Sequence, residues 1–161
     1  MDEIAENEPL MAAIGRIALR SAELGETIDA IAGKLDPRAR LKCKGLMLGK
    51  KIELTKQIVE RELASYPELV NQFRSFCNHV FSLLNDRNSP LHSTFLADDD
   101  EGARFIKWDS KIGPEVVSIA DLNASAKAFE GATRKCLEYF LEVRDFKIFG
   151  APTGRLGGPS A

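Results

Sequence analysis

Two side chains in one short run have the chemistry to act on a phosphate. Arg87 and His92 lie five positions apart in Asn85-Asp86-Arg87-Asn88-Ser89-Pro90-Leu91-His92-Ser93, where a long amphipathic segment ends. A guanidinium grips phosphate through a planar fork of donors. An imidazole near its free pKa moves protons at neutral pH. Together they suit cleavage of an RNA phosphodiester. The histidine would act on the ribose 2′-OH or the leaving oxygen, and the arginine would stabilise charge on the phosphoryl group. Neither a metal nor a cofactor is needed. Asn88 would orient the pair or touch phosphate. The plainer reading is a helix-terminal arginine beside a histidine packed at a turn. Arg74 and His79 repeat the spacing inside a helix, where five residues turn side chains about 140° apart. The Arg87 stretch differs because Pro90 disfavours helix at Ser89. The helix is expected to end there, with Arg87 and His92 straddling the end and bent together.

A second feature is basic. Arg38, Arg40, Lys42, Lys44, Lys50 and Lys51 occur with no acid among them. The first four fall in the opening turns of an expected helix, where the dipole disfavours cations. That local cost points to anion binding, here RNA phosphate, against the alternative of a solvated face. No aromatic interleaves, so base stacking is not indicated. Asp98-Asp99-Asp100-Glu101 are consecutive acids without the alternate spacing of a calcium loop, and read as an exposed turn. Glu23 is a candidate buried partner for Arg87, against a solvent-facing glutamate. Neither histidine has a second His or Cys at metal spacing, so no metal site is expected. Gly154-Arg155-Leu156-Gly157-Gly158 follows no expected strand and opens no helix, which argues against a phosphate loop.

The formal net charge of −2 gives no global pull toward nucleic acid or membrane, so any basic site must be local. Cys43, Cys77 and Cys136 are odd in number and far apart, forming neither a disulfide framework nor a zinc set. A reducing cytoplasm is the expected compartment. The acidic start Met1-Asp2-Glu3 lacks a signal-peptide pattern, and no apolar run approaches the ~20 residues of a membrane span.

The elements that must position these residues are helical. Residues 1–8 are expected to fray. From Pro9, Leu10, Ile14, Ile17, Ser21, Leu24, Ile28, Ile31 and Leu35 recur at steps of four and three, a seam broken only by Ser21. Asp36-Pro37 ends this helix and caps a second, expected to run to about Ala64 with Leu41, Leu48, Ile52 and Val59 on its apolar side. Gly45 and Gly49 inside it suggest a close helix–helix contact. Ser65 and Glu68 have capping-box spacing before a third helix bearing Phe73, Cys77, Val80 and Leu84. Between Thr94 and Trp108 a β-hairpin with an acidic turn is expected, and Val116-Val117 suit a further extended piece. Ser118 can cap a last helix to about Asp145, on which Leu122, Ala126, Phe129, Thr133, Cys136, Phe140 and Val143 repeat the seam. Residues 150–161 are rich in Gly and Pro and expected to be disordered. The expectation is thus an all-α antiparallel four-helix bundle over residues 9–149, with a short β-hairpin at about 94–108 before the last helix.

Arg87-Asn88-Ser89-Pro90-Leu91-His92 resembles the signature of the HEPN superfamily of all-α proteins: arginine, a polar residue, then histidine after four to six intervening residues. Ala13-Ile14-Gly15-Arg16-Ile17 leading into Glu23-Leu24, Leu48-Gly49-Lys50-Lys51-Ile52, and the turn and hairpin after the motif are similar to small bacterial HEPN-like proteins. The resemblance spans roughly residues 10–145. It implies a four-helix-type fold. For nuclease members it implies a homodimer in which two Arg/His pairs form one metal-independent RNA-cleaving site, leaving a 2′,3′-cyclic phosphate and a 5′-hydroxyl. Such members include toxins, with a cognate antitoxin as partner, and defence effectors; others are interaction or sensor modules. Pro90 inside the motif and Thr94, where many toxin members place a modified Tyr, depart from the pattern.

Overall fold

The computed structural model describes residues 8–97, 104–109, 113–154 and 156, without the side chains of Ser89, His92, Thr94, Ala97 and Asp109. The acidic turn expected at Asp98–Glu101 and the N-terminal residues 1–7 lie outside the described residues. The chain is mostly helical, with one small antiparallel sheet. Its elements are α1 (Glu8–Leu35), α2 (Ala39–Cys43), α3 (Leu48–Glu62), α4 (Pro67–His92), β1 (Thr94–Ala97), β2 (Arg104–Asp109), β3 (Gly113–Ser118) and α5 (Ile119–Phe149). Among the described residues no helix is long and apolar enough to cross a membrane.

The seam of α1 buries Leu10, Ile17, Ser21, Leu24, Ile28, Ile31 and Leu35, while Ala13 is buried more deeply than its neighbour Ile14. α1 packs most extensively against α5, then against α3. The matching seam of α5 buries Leu122, Ala126, Phe129, Cys136 and Val143. Phe73, Phe76 and Tyr139 close one end of the core, the Phe73 and Tyr139 rings meeting edge to face at 5.2 Å. All three cysteines are free thiols in this core. Burial pushes the Cys77 thiol up to about 12 and raises Cys136 further, so neither ionises near neutral pH.

Five local expectations need correction. The single helix expected from Asp36 to Ala64 is two, because Gly45 adopts φ +83° and breaks it. No neighbour lies within 4 Å of a Cβ placed on Gly45, so its role is the turn; only Gly49 sits in a close contact, facing Leu84. With the helix broken, Ala39 and Cys43 become the inward residues of α2, and Leu41 turns outward at 81% exposure. Asp36 is not the N-cap and Pro37 is not the first helical residue: α2 begins at Ala39 with Arg38 as its N-cap and no side-chain cap, and Asp36 instead accepts from the Arg38 N–H at 3.0 Å in the turn before it. The Ser65 capping box is absent: Tyr66 is the N-cap and Pro67 the first helical residue, with no side-chain cap.

The hairpin is one part of a three-stranded sheet, ordered β1-β2-β3, in which Val116 and Val117 belong to a full third strand. Ser118 then caps α5 with a complete capping box: its hydroxyl accepts from the Asp121 N–H, and the Asp121 carboxylate accepts from the Ser118 N–H. The Ser118 hydroxyl holds the Asp121 carboxyl below the usual range. Ser118→Ala is expected to cost about 1 kcal/mol, since it removes one of these bonds. In a chain this size that is a fall of roughly 2–4 °C in melting temperature. The depressed Asp121 pKa adds stability above the ordinary aspartate range and loses it as pH falls through its folded value. The variant and the wild type should therefore converge in acid.

α5 continues past Asp145 to Phe149, where Gly150 at φ +75° ends it. Part of the tail expected to be disordered is clasped. The backbone N–H of Thr153 donates to buried Glu142 at 2.8 Å and its hydroxyl donates at 3.1 Å. The Tyr66 hydroxyl donates to the Gly150 carbonyl at 3.0 Å, and Leu156 packs on the core.

Candidate functional site

Arg87 projects from α4 toward α1. Its Nε donates to the Ser21 hydroxyl at 3.1 Å, and one terminal nitrogen donates to Asn88 Oδ1 at 2.8 Å. Ser21, the break in the α1 seam, is buried, and its own hydroxyl donates to the Ala18 carbonyl. The polar gap in an apolar stripe is thus the seat of the guanidinium. Among the described residues no carboxylate pairs with Arg87, so neutral oxygens fix the cation.

Arg87 and Asn88 form one wall of a cleft of about 420 Å³ between α4 and the start of α3. The opposite wall is Met47, Leu48, Gly49 and Lys50, and Phe81 and Leu84 form the floor. Met47, the N-cap of α3, supplies no side-chain cap. The first amides of α3 therefore keep donors without helical partners and a partial positive charge. Glu53, one turn further on, is the carboxylate of this cleft. Gly49 keeps the walls close: a Cβ there would meet Leu84 Cδ1 at 3.4 Å. The cleft offers a fixed guanidinium, a lysine and an uncapped helix start, which suits an anionic oxygen.

The side chain of His92 lies outside the described residues. Its backbone does not end where expected: α4 runs without interruption from Pro67 to His92, with Pro90 inside it. Pro90 costs the helix its bond to the Asp86 carbonyl and crowds that carbonyl, yet the helix passes through it with Pro90 buried. Positions 87 and 92 consequently share one helix and are about 140° apart around its axis, the relation Arg74 and His79 have. The expected convergence across a helix end is not the backbone geometry found. His79 is exposed on α4, and Arg74 pairs with Glu60.

Arg38, Arg40, Lys42 and Lys44 are all exposed on or beside α2. The stem of Arg40 lies over Gly33, where a Cβ would meet it at 3.2 Å. This run leads into Met47 of the cleft wall, three residues beyond Lys44, a span of at most about 10 Å. Lys50 belongs to the cleft itself. Lys51 does not, since it forms a short ion pair with Asp29 of α1, both largely buried. Glu23 pairs with Arg20 at 2.9 Å rather than with Arg87. Arg16 is structural, donating twice to Asn123 of α5. Sequence reasoning did not assign Ser21 as the seat of Arg87 or the start of α3 as the facing wall. The seam break at Ser21 was the available signal. Among the described residues no cluster of His, Cys, Asp or Glu could hold a metal. No family model, no curated protein and no solved structure matches the chain.

Proposed function

We propose that the chain is a HEPN-like RNA-binding protein of toxin or defence type that cleaves RNA without a metal, acting as a cytoplasmic homodimer. In this reading α1, α3, α4 and α5 are the helices of an antiparallel bundle, and the sheet is the insertion before the last. The observation that carries it is Arg87: held by Ser21 and Asn88, paired with no described carboxylate, and sharing a cleft with Lys50 and Glu53. A phosphate seated there would take the guanidinium fork. His92 removes the proton of the ribose 2′-OH as that oxygen attacks phosphorus. The bond to the 5′ oxygen breaks, and that oxygen takes up a proton, leaving a 2′,3′-cyclic phosphate and a 5′-hydroxyl. Asn88 orients Arg87. Arg38, Arg40, Lys42 and Lys44 track the neighbouring phosphates, and a cognate antitoxin would bind over this basic surface.

One observation favours a second reading. Because α4 is continuous, one chain directs positions 87 and 92 to different sides of the helix. A non-catalytic HEPN-like interaction or sensor module needs only the Arg87 cleft. The deciding experiment incubates purified protein with mixed RNA in excess EDTA, beside Arg87→Ala and His92→Ala. Cleavage by the wild type alone, ending in cyclic phosphate, is the expected result. Intact RNA in all three reactions, with folded protein, would sink the nuclease and leave the module.

RNA binding carries its own expectation. Each phosphate contact on a single strand contributes about 0.7 to the slope of log K against log salt. Replacing Arg38, Arg40, Lys42 and Lys44 together by alanine should therefore flatten that slope by up to about 3. An unchanged slope in a filter-binding titration would remove these four from the interface.

A further inference from the structure

The cleft beside Arg87 carries charge of both signs, and the register of its two helices sorts them. Glu60 of α3 pairs with Arg74 of α4, and Gly49 faces Phe81 and Leu84, so the helices run antiparallel. Met47, Arg87 and Asn88 therefore lie at one end of the cleft and Glu53 at the other, with Lys50, Phe81 and Leu84 between them. Two turns of α4, about 10 Å, separate the ends. A cleft that took phosphate alone would gain nothing from a carboxylate, because like charges repel. Glu53 Oε1 accepts a long bond, 3.3 Å, from Gln57 Nε2, and among the described residues no cation pairs with this carboxylate.

We infer that the cleft takes one guanosine nucleotide, with its phosphate at Arg87, its base over Phe81 and Leu84, and its Watson–Crick edge on Glu53. The inference deepens the RNA reading above and rests on its placing of phosphate at Arg87. The volume of about 420 Å³ lies low in the roughly 300–1,000 Å³ of small-molecule sites, which is room for one nucleotide and not for a strand. The distance between the charged ends is comparable to that from a nucleotide's phosphate to the far edge of its base. The half-buried apolar floor between them offers a surface to the face of a base. What selects the base is a carboxylate, which accepts and cannot donate. Guanine presents two adjacent donors, N1–H and the 2-amino group, and these match the two carboxylate oxygens. Adenine and cytosine each present one amino donor beside a bare ring nitrogen. Uracil presents its N3–H between two carbonyls. In all three a lone pair would face a carboxylate oxygen. Glu53 is thus a specificity-determining residue.

Calorimetric titration of the full chain with the 3′- and 5′-monophosphates of the four ribonucleosides tests this, since either ester can set a phosphate at Arg87. The guanosine ligand should bind about 10–100-fold tighter than the other three. Inosine monophosphate, which keeps N1–H but lacks the 2-amino group, should lose most of that preference, a comparison that needs no variant. Glu53→Gln should bring guanosine down to the level of the others, because the amide offers one acceptor where two are needed. Its melting temperature should match the wild type, the residue being half-buried and the amide isosteric. Arg87→Ala should weaken all four ligands by a similar factor. Equal affinities in the wild type overturn the inference, as does inosine binding as tightly as guanosine. So do a guanosine preference that survives Glu53→Gln and a wild type that binds none of the ligands. RNA cleavage is scored separately, by mapping cut sites in mixed RNA with EDTA. Cuts without guanosine bias would leave the nuclease standing and remove guanosine. Guanosine-selective binding with intact RNA would support the inference and favour the non-catalytic module.

Discussion

Arg87→Ala is expected to slow RNA cleavage by about 10²–10³-fold at saturating RNA, the effect of removing one charged donor from a developing phosphoryl charge. The loss should fall on the chemical step more than on binding, because Lys50 and the α2 cations remain to hold the strand. The fold should change little: Ser21 keeps its bond to the Ala18 carbonyl, so no buried donor is orphaned. Arg87→Lys sharpens the test. It retains charge but loses the planar fork and the geometry that places Nε on Ser21, so it should recover only a small part of the rate. Full recovery by lysine would mean that charge alone matters at this position. Equal cleavage by wild type and Arg87→Ala would remove Arg87 from the chemistry.

The largest expected stability effect lies behind the cleft. Lys51→Met keeps the aliphatic stem but strips Asp29 of its cation, leaving a largely buried carboxylate alone. Breaking such a pair from one side costs about 3–5 kcal/mol, a large share of a typical domain's stability. Burial raises the Asp29 carboxyl above its ordinary value even with Lys51 present, since desolvation outweighs the pull of the ammonium. The sign follows from that direction. A raised carboxyl favours the protonated fold, so its contribution is complete below the ordinary aspartate range and fades as pH rises through the folded value. The Lys51→Met penalty should therefore be largest near neutral pH and shrink in mild acid, as Asp29 takes up a proton. Adding Asp29→Leu to Lys51→Met should restore most of the loss, because no charge is then stranded. Chemical denaturation at the two pH values measures all of this, and a pH-independent penalty would sink the account.

The long elements were legible because their signal is periodic. The α1 and α5 seams repeat over seven or more positions each, and burial follows most of them, passing to the preceding residue where Ala13, Ala132 and Tyr139 are buried in place of Ile14, Thr133 and Phe140. What was not legible depended on single residues whose effect is conditional. Gly45 could as well have served a close contact as a turn; only its positive φ decides, and with it the outward fate of Leu41. Pro90 disfavours helix at Ser89 by an amount that tertiary packing can override, and Pro90 itself is buried. Ser65 lost its capping role because Pro67 sets the helix start one residue later. For the candidate site, the arginine and its asparagine were readable as a neighbouring pair. The serine seat and the facing helix start were not, because 66 residues separate Ser21 from Arg87 and no local rule joins them.

The passage of α4 through Pro90 removes one rung from its ladder. The carbonyl of Asp86 finds no N–H four residues on, because a proline stands there. The last turn is tethered more thinly than the turns before it, and so belongs to the part of the molecule that opens at least expense. It is also the joint between the rigid helical body and the sheet. Fraying there would shift position 92 first, while Phe105 and Val117 keep the sheet on the core and the guanidinium of Arg87 stays anchored to α1.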